Sequence, residues 1–209
     1  MFYRNTRGNA VGVALAVVLG IAGIASADEV HFTGSTLGRF NAQAFAGTNT
    51  LLDLVYNNST FDNTTVNGAL DLGGDPTPPN FNNLGSFSLG LTNNTYNGNT
   101  FQLMVTFTAP TTITGGSIST FSDILSGTIL DGQGGVFVDF YNTPQTFTFS
   151  NGSVTGTFTM FINDVSITPG HAASLTGHIT ASQVPEPAVL AGLVCGMFGF
   201  IGIRRTKKA

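Results

Sequence analysis

For residues 28–183 the sequence predicts an all-β fold, an antiparallel β-sandwich or jelly roll. Three observations predict it. Short runs alternate apolar and polar residues at the period of a half-buried strand, and no stretch of useful length repeats at the helical period. Hairpin-favouring pairs punctuate those runs: Asn67-Gly68, Asn97-Gly98, Asp131-Gly132 and Asn151-Gly152, residue types that tolerate the positive φ of tight turns. The composition favours strands, with 18 Phe, 27 Gly, no Trp, and Thr, Ser and Asn in abundance; charged residues are only 9%, against roughly 25% in an ordinary globular chain. An apolar content of 42% with a small net charge argues against disorder.

The chain starts with a segment of a different kind. Arg4 and Arg7 are followed by an apolar run over residues 10–24, then by Ala25-Ser26-Ala27 and Asp28-Glu29. A positive end, an apolar core and a small-x-small site form a secretory signal peptide over residues 1–27, with Ala25 and Ala27 as the cleavage residues. The alternative is an uncleaved N-terminal anchor, which would not need the small residues.

Strands are predicted next over 30–36, 51–56, 86–91, 100–108, 124–130, 136–141, 146–149, 154–162 and 174–181. The run 100–108 places Phe101, Leu103, Val105 and Phe107 on one face. The run 86–91 does the same with Phe87, Leu89 and Leu91. In 154–162, Val154, Gly156, Phe158, Met160 and Ile162 face one way and Thr155, Thr157 and Thr159 the other. Asn151-Gly152, between two alternating runs, is the clearest hairpin. Residues 71–83 contain Pro76, Pro78 and Pro79 and read as a loop, since proline cannot sit in a central strand. Many short one-faced strands favour an antiparallel sandwich over a parallel α/β sheet.

Charge placement excludes one class of partner. Between residues 28 and 183 the only cation is Arg39, against ten acids, a formal −9. A nucleic-acid binder needs Lys and Arg to displace counterions from phosphates, so nucleic acid is not a partner. Anionic lipid is disfavoured on the same ground. Cys195 is the single cysteine, so the body holds together without an internal disulfide.

Little in the body has catalytic spacing. His31, His171 and His178 lack ligand spacing and read as ordinary surface or loop histidines, with His178 at an outward position. A G-x-S-x-G elbow is absent; Gly115-Gly116-Ser117-Ile118-Ser119 fails at its last position. Asp139 and Asp164 qualify as a glycosidase pair only as any two Asp do, and Asp139 reads as a solvent-facing strand residue. No metal ligand set is assigned. Ca²⁺ is the one cofactor with some support, because Asp131-Gly132-Gln133-Gly134-Gly135 and Asp71-Leu72-Gly73-Gly74-Asp75 place carboxylates in Gly-rich loops. Turn-capping aspartates explain both loops equally well.

The chain closes with residues 184–209, which divide into three parts: Val184-Pro185-Glu186-Pro187, an uncharged stretch over 188–203, and Arg204-Arg205-Thr206-Lys207-Lys208. The 16 apolar residues make a helix of about 24 Å, short of the ~30 Å hydrocarbon core. Snorkelling of Arg204 and Arg205 extends it to a single C-terminal transmembrane helix. Arg204, Arg205, Lys207 and Lys208 act as the membrane stop and stay cytoplasmic. This motif, helix and basic cluster, in that order and with a signal peptide at the other end, resembles the PEP-CTERM protein-sorting signal. The resemblance covers about the last 25 residues. It implies recognition by an exosortase, a membrane cysteine transpeptidase of Gram-negative bacteria, with Pro185, Glu186 and Pro187 as recognition residues. The implied route crosses the inner membrane, pauses in a transient anchor and ends at the cell surface or extracellular matrix, in bacteria many of which make exopolysaccharide. The body loosely resembles the Thr-, Asn- and Gly-rich β cargo of such proteins, which assigns no activity.

These readings favour a non-enzymatic, structural or adhesive surface protein. The alternative is a carbohydrate-binding or hydrolytic sandwich delivered by the same tail. Against it stand the absence of Trp and the presence of only three body tyrosines, Tyr56, Tyr96 and Tyr141.

Overall fold

The computed structural model describes residues 29–73, 82–141, 143–151 and 154–184. Several predicted features lie outside the described residues. These are the signal peptide with Ala25 and Ala27, the prolines of the 71–83 loop with Asp75, and everything from Pro185 through the hydrophobic span to the basic cluster.

Among the described residues every regular element is a strand, and every pairing is antiparallel. The chain runs through β1 (His31–Phe40), β2 (Thr48–Leu51), β3 (Leu54–Asn57), β4 (Thr60–Thr64) and β5 (Ala69–Leu72). Then come β6 (Ser86–Leu89), β7 (Asn94–Thr95), β8 (Thr100–Ala109), β9 (Thr112–Thr114), β10 (Ile118–Leu130) and β11 (Gln133–Phe140). It ends with β12 (Gln145–Asn151), β13 (Val154–Ile162), β14 (Val165–Ile167), β15 (Ala172–Ser174) and β16 (Gly177–Val184). The large sheet has seven strands in the order β14-β11-β10-β8-β1-β4, with β7 also on β10. A five-stranded sheet runs β5-β16-β13-β12-β9, and a four-stranded sheet runs β15-β6-β3-β2.

The long strands form because their alternation is sustained. In β8, Phe101, Leu103, Val105 and Phe107 are buried and the residues between them are not. In β1 the inward set is Phe32, Gly34, Thr36, Gly38 and Phe40. Both strands lie in the middle of the large sheet, and their inner faces meet the two smaller sheets through aromatic rings. Phe32 and Phe107 pack on Phe158 of the five-stranded sheet at 4.9 and 5.2 Å. Phe101 packs on Phe87 and Tyr56 of the four-stranded sheet at 4.8 and 5.1 Å. The three Phe–Phe pairs are edge-to-face and Phe101–Tyr56 is tilted; aromatic pairs at such distances add about 0.5–1.5 kcal/mol each beyond their burial. The arrangement is sandwich-like, with one layer of the expected pair divided between two sheets.

The missing side chains of β1 are part of that packing. A Cβ at Gly38 would overlap the Tyr56 ring, and one at Gly34 would overlap the Phe61 ring. Each glycine is the floor on which an aromatic from another strand lies, a known device for glycines in strands. The Tyr56 hydroxyl, fully buried, donates to the Leu84 carbonyl at 2.9 Å and lies 2.8 Å from Thr36 Oγ1. Thr36 Oγ1 in turn accepts the Ser59 amide at 3.1 Å. One tyrosine thus ties the four-stranded sheet to β1.

Some predicted elements come out differently. The run 51–56 is a hairpin, β2 and β3, turning at Leu52-Asp53 with Leu52 at φ 56°. The run 174–181 is split between β15 and β16, which belong to different sheets. Leu91 does not share the buried face of Phe87 and Leu89: β6 ends at Leu89 and Leu91 is exposed. Asp131-Gly132, at φ 51° and 72°, forms the β10–β11 hairpin, and β12 pairs with β13 as predicted. Asn97-Gly98 instead joins β7 to β8, which both pair with β10 rather than with each other.

Candidate functional site

The outer face of the large sheet carries the polar residues left over from core packing. Its middle strands place Arg39, Gln102 and Ser122 in register across β1, β8 and β10. Arg39 Nε donates to Gln102 Oε1 at 2.6 Å, and Gln102 Nε2 donates to Ser122 Oγ at 2.9 Å. The Arg39 guanidinium also sits 4.3 Å from the centre of the Phe45 ring, a cation–π contact. Arg39 is the one Lys or Arg among the described residues.

At Ser122 this polar row meets an open cleft of about 380 Å³. Its floor is Thr120, Phe121 and Ser122 of β10. Its wall is Tyr141, Thr143 and Pro144 from the connection after β11, with Gln145 at the start of β12. Gln145 is fixed by a hydrogen bond to Ser119 Oγ and by Nε2 donating to the Thr120 carbonyl at 3.3 Å. Tyr141 is 80% exposed, whereas Tyr56 and Tyr96 are fully buried. None of the lining residues is an acid or a base of the Asp, Glu, Lys, Arg or His type.

Beneath the cleft β10 points Asp123 inward. Its Oδ1 accepts the Ile124 amide at 2.6 Å, while Oδ2 is buried without a hydrogen-bond partner. Burial raises its pKa from 3.8 to about 6; the Ile124 amide opposes the shift, and the nearby charges of Asp139 and Asp164 add to it. Asp164 Oδ1 accepts the Phe140 amide at 2.9 Å, which holds the turn after β13 against the end of β11. The two carboxylates singled out from sequence therefore do act on one neighbourhood, around a third that the sequence reading passed over. Asp139 is exposed, as predicted.

Two of the histidines have partners that the sequence reading did not give them. His31 Nε2 meets Asp62 Oδ1 at 2.7 Å, between β1 and β4. His178 Nδ1 meets Asp71 Oδ1 at 2.5 Å, directly opposite it between β16 and β5. β4 and β5 are edge strands of different sheets. Both couples pin a short edge strand to its longer neighbour, which is a structural task. His171 lies in an exposed turn.

Of the aspartates in the Gly-rich stretches, Asp131 sits in the β10–β11 turn, whereas Asp71, expected in a loop over 71–83, is a residue of strand β5. The Asp131 backbone amide donates to Asn93 Oδ1 at 2.7 Å, and Asp71 is held by His178. Among the described residues no group of three or more His, Cys, Asp or Glu side chains is placed to hold a metal ion. The described residues also contain no helix long and apolar enough to cross a membrane; the span predicted over 188–203 lies outside them. Comparison with protein-family models, curated protein sequences and solved structures returns no match.

Proposed function

We propose that the chain is an exported cell-surface or extracellular-matrix protein, structural or adhesive rather than enzymatic, whose β-sandwich is delivered by a C-terminal sorting signal. Residues 1–27 direct export. Residues 184–209 hold the protein in the inner membrane until an exosortase recognises Pro185, Glu186 and Pro187. The body then passes to the surface, where exopolysaccharide is its expected surrounding.

The observation that carries this reading is the interior strand that leads up to the sorting motif. β16 is an interior strand of the five-stranded sheet, between β5 and β13, and it ends at Val184, one residue before Pro185. Gln183 Nε2 donates to the carbonyl of Glu29 at 3.4 Å. Glu29 and Gln183, which in sequence lie close to the expected signal peptide and sorting motif, are therefore neighbours in the fold. Processing after Ala27 and at the Pro-Glu-Pro motif leaves every strand of the described residues intact. A cut upstream of Val184 would remove part of an interior strand.

The test is mass spectrometry of the protein recovered from its native host. A mature chain that starts at Asp28 and ends within or just after the Pro-Glu-Pro motif supports the reading. Substituting Glu186→Ala should leave the tail attached and the protein in the inner membrane. A Glu186→Ala protein that is processed and reaches the surface as the parent does would refute the sorting assignment.

A further inference from the structure

We propose that the cleft between β10 and the β11–β12 connection is a binding site for a neutral saccharide, with Tyr141 as its aromatic platform. The inference goes beyond delivery to the surface and stands whether or not the tail is processed. It starts from the fate of the aromatic rings. Tyr56 and Tyr96 are completely buried, and the large sheet places its Phe residues inward with the exception of Phe137 at 39% exposure. Tyr141 keeps 80% of its surface in water at the rim of the cleft. A tyrosine offers an apolar face and a polar tip, the combination that suits a ligand with both C–H and hydroxyl faces.

The rest of the lining has matching chemistry. Thr120, Ser122 and Thr143 provide hydroxyls that both donate and accept, and Gln145 provides an amide. Gln145 is held in place by Ser119 and the Thr120 carbonyl, so its end of the cleft is set before a ligand arrives. From Ser122 the row continues through Gln102 to Arg39. Three neighbouring strands cover two spacings, about 10 Å of outward-facing polar groups. That strip is long enough for more than one sugar ring of an extended chain.

Charge selects among saccharides. The lining has no cationic side chain, and Arg39 at the far end is already engaged by Gln102 and Phe45. Asp139 projects on the outer face beside Ile124, two residues before Tyr141. A body of formal charge −9 repels uronate- or sulfate-bearing polymers. The ligand class is therefore an uncharged polysaccharide.

The experiment is affinity electrophoresis of the full chain in detergent, in gels containing dextran, mannan, xyloglucan or, as the charged comparison, polygalacturonate. At least one neutral polymer should retard the parent protein, and polygalacturonate should not. Tyr141→Ala should weaken that retardation by about tenfold in affinity, and Ser122→Ala should weaken it by less. Both positions are outward-facing, so both variants should keep the parent's thermal midpoint, which is measured alongside. Retardation by none of the neutral polymers overturns the proposal. So does a Tyr141→Ala protein with the parent's midpoint and undiminished retardation, or a preference for polygalacturonate. None of these outcomes bears on whether the tail is cut, which the mature C-terminus reports separately.

Discussion

At neutral pH the Asp123 carboxyl has to carry its charge while buried, with Oδ2 unbonded and Asp139 and Asp164 nearby. The folded state therefore binds the proton more tightly than the unfolded chain, with a pKa of about 6 against 3.8. Protonation favours folding: the stability this group lends is fully present below the unfolded value and is lost as pH rises through the folded one. About two pKa units correspond to roughly 2–3 kcal/mol. Asp123→Asn keeps the shape and the acceptor for the Ile124 amide and removes the charge. It should raise the thermal midpoint by about 5–10 °C at about pH 8 and by little at about pH 4, read by circular dichroism. Equal gains at both pH values would show that the charge is not the cause. A second residue-scale prediction concerns Gly38, where a side chain would overlap the Tyr56 ring. Gly38→Ala should cost about 1–3 kcal/mol, measured by denaturant unfolding, because the ring has to leave its place against Phe101 and Phe87. Asp123 was hard to see from sequence for a specific reason. In β10 the inward residues Phe121, Leu125 and Ile129 are matched by outward Ile118, Ile124 and Leu130. With apolar residues in both phases, alternation does not say which face is the core, so Asp123 could not be placed inside.

Most of the elements legible in the sequence are long, although β6 is legible with only four residues. Burial alternates residue by residue from Thr100 to Thr108 in β8 and from Thr155 to Ile162 in β13, long enough for alternation to stand out from composition. β5, β7, β9 and β14 have between 2 and 4 residues, which is too few for a period to be visible. They are held by their neighbours rather than by their own pattern. The β2–β3 hairpin escaped for another reason. Its turn is Leu52-Asp53, with a leucine at φ 56° where Asn or Gly is usual, so the signal that marked Asp131-Gly132 is absent. The cleft is assembled from β10 and a connection some twenty residues later, and only the fold brings the two together. Within this scale β16 makes the sharpest test. It buries Ile179 and Ala181 and pairs on both sides, with β13 along its length and with β5 through His178 and Asp71. A chain ending at Val184 should unfold cooperatively. One ending at Thr176 should lose its near-ultraviolet dichroism and become sensitive to protease, since two exposed sheet edges would replace an interior strand. If the shorter chain unfolds with the same midpoint as the longer, β16 is not a structural strand.

Over the whole molecule, the charges are sparse and one-sided. Between residues 28 and 183 ten acids face a single arginine, and that arginine is bonded to a glutamine rather than to a carboxylate. The contacts within hydrogen-bonding distance between an acid and a basic side chain among the described residues are the two His–Asp couples. Most soluble domains mix attractive and repulsive surface terms, so added salt has small effects of either sign. Here the balance is tilted: among the described residues no Lys or Arg bridge is there for salt to weaken, while repulsion among carboxylates acts across the body. Raising ionic strength from about 0.01 to 0.1 M shortens the screening length from about 30 to 10 Å, which relieves that repulsion in the compact state more than in the expanded chain. The thermal midpoint should therefore rise with sodium chloride over that range at about pH 8, where Asp123 is ionised as well. The rise should be smaller in Asp123→Asn, which removes one of the charges being screened. Potassium chloride should act as sodium chloride does, because screening does not depend on the identity of the cation. A trace of calcium that reproduced the whole effect would show instead that the acids bind a specific ion. A midpoint that fell with salt would show that attraction, rather than repulsion, governs the surface.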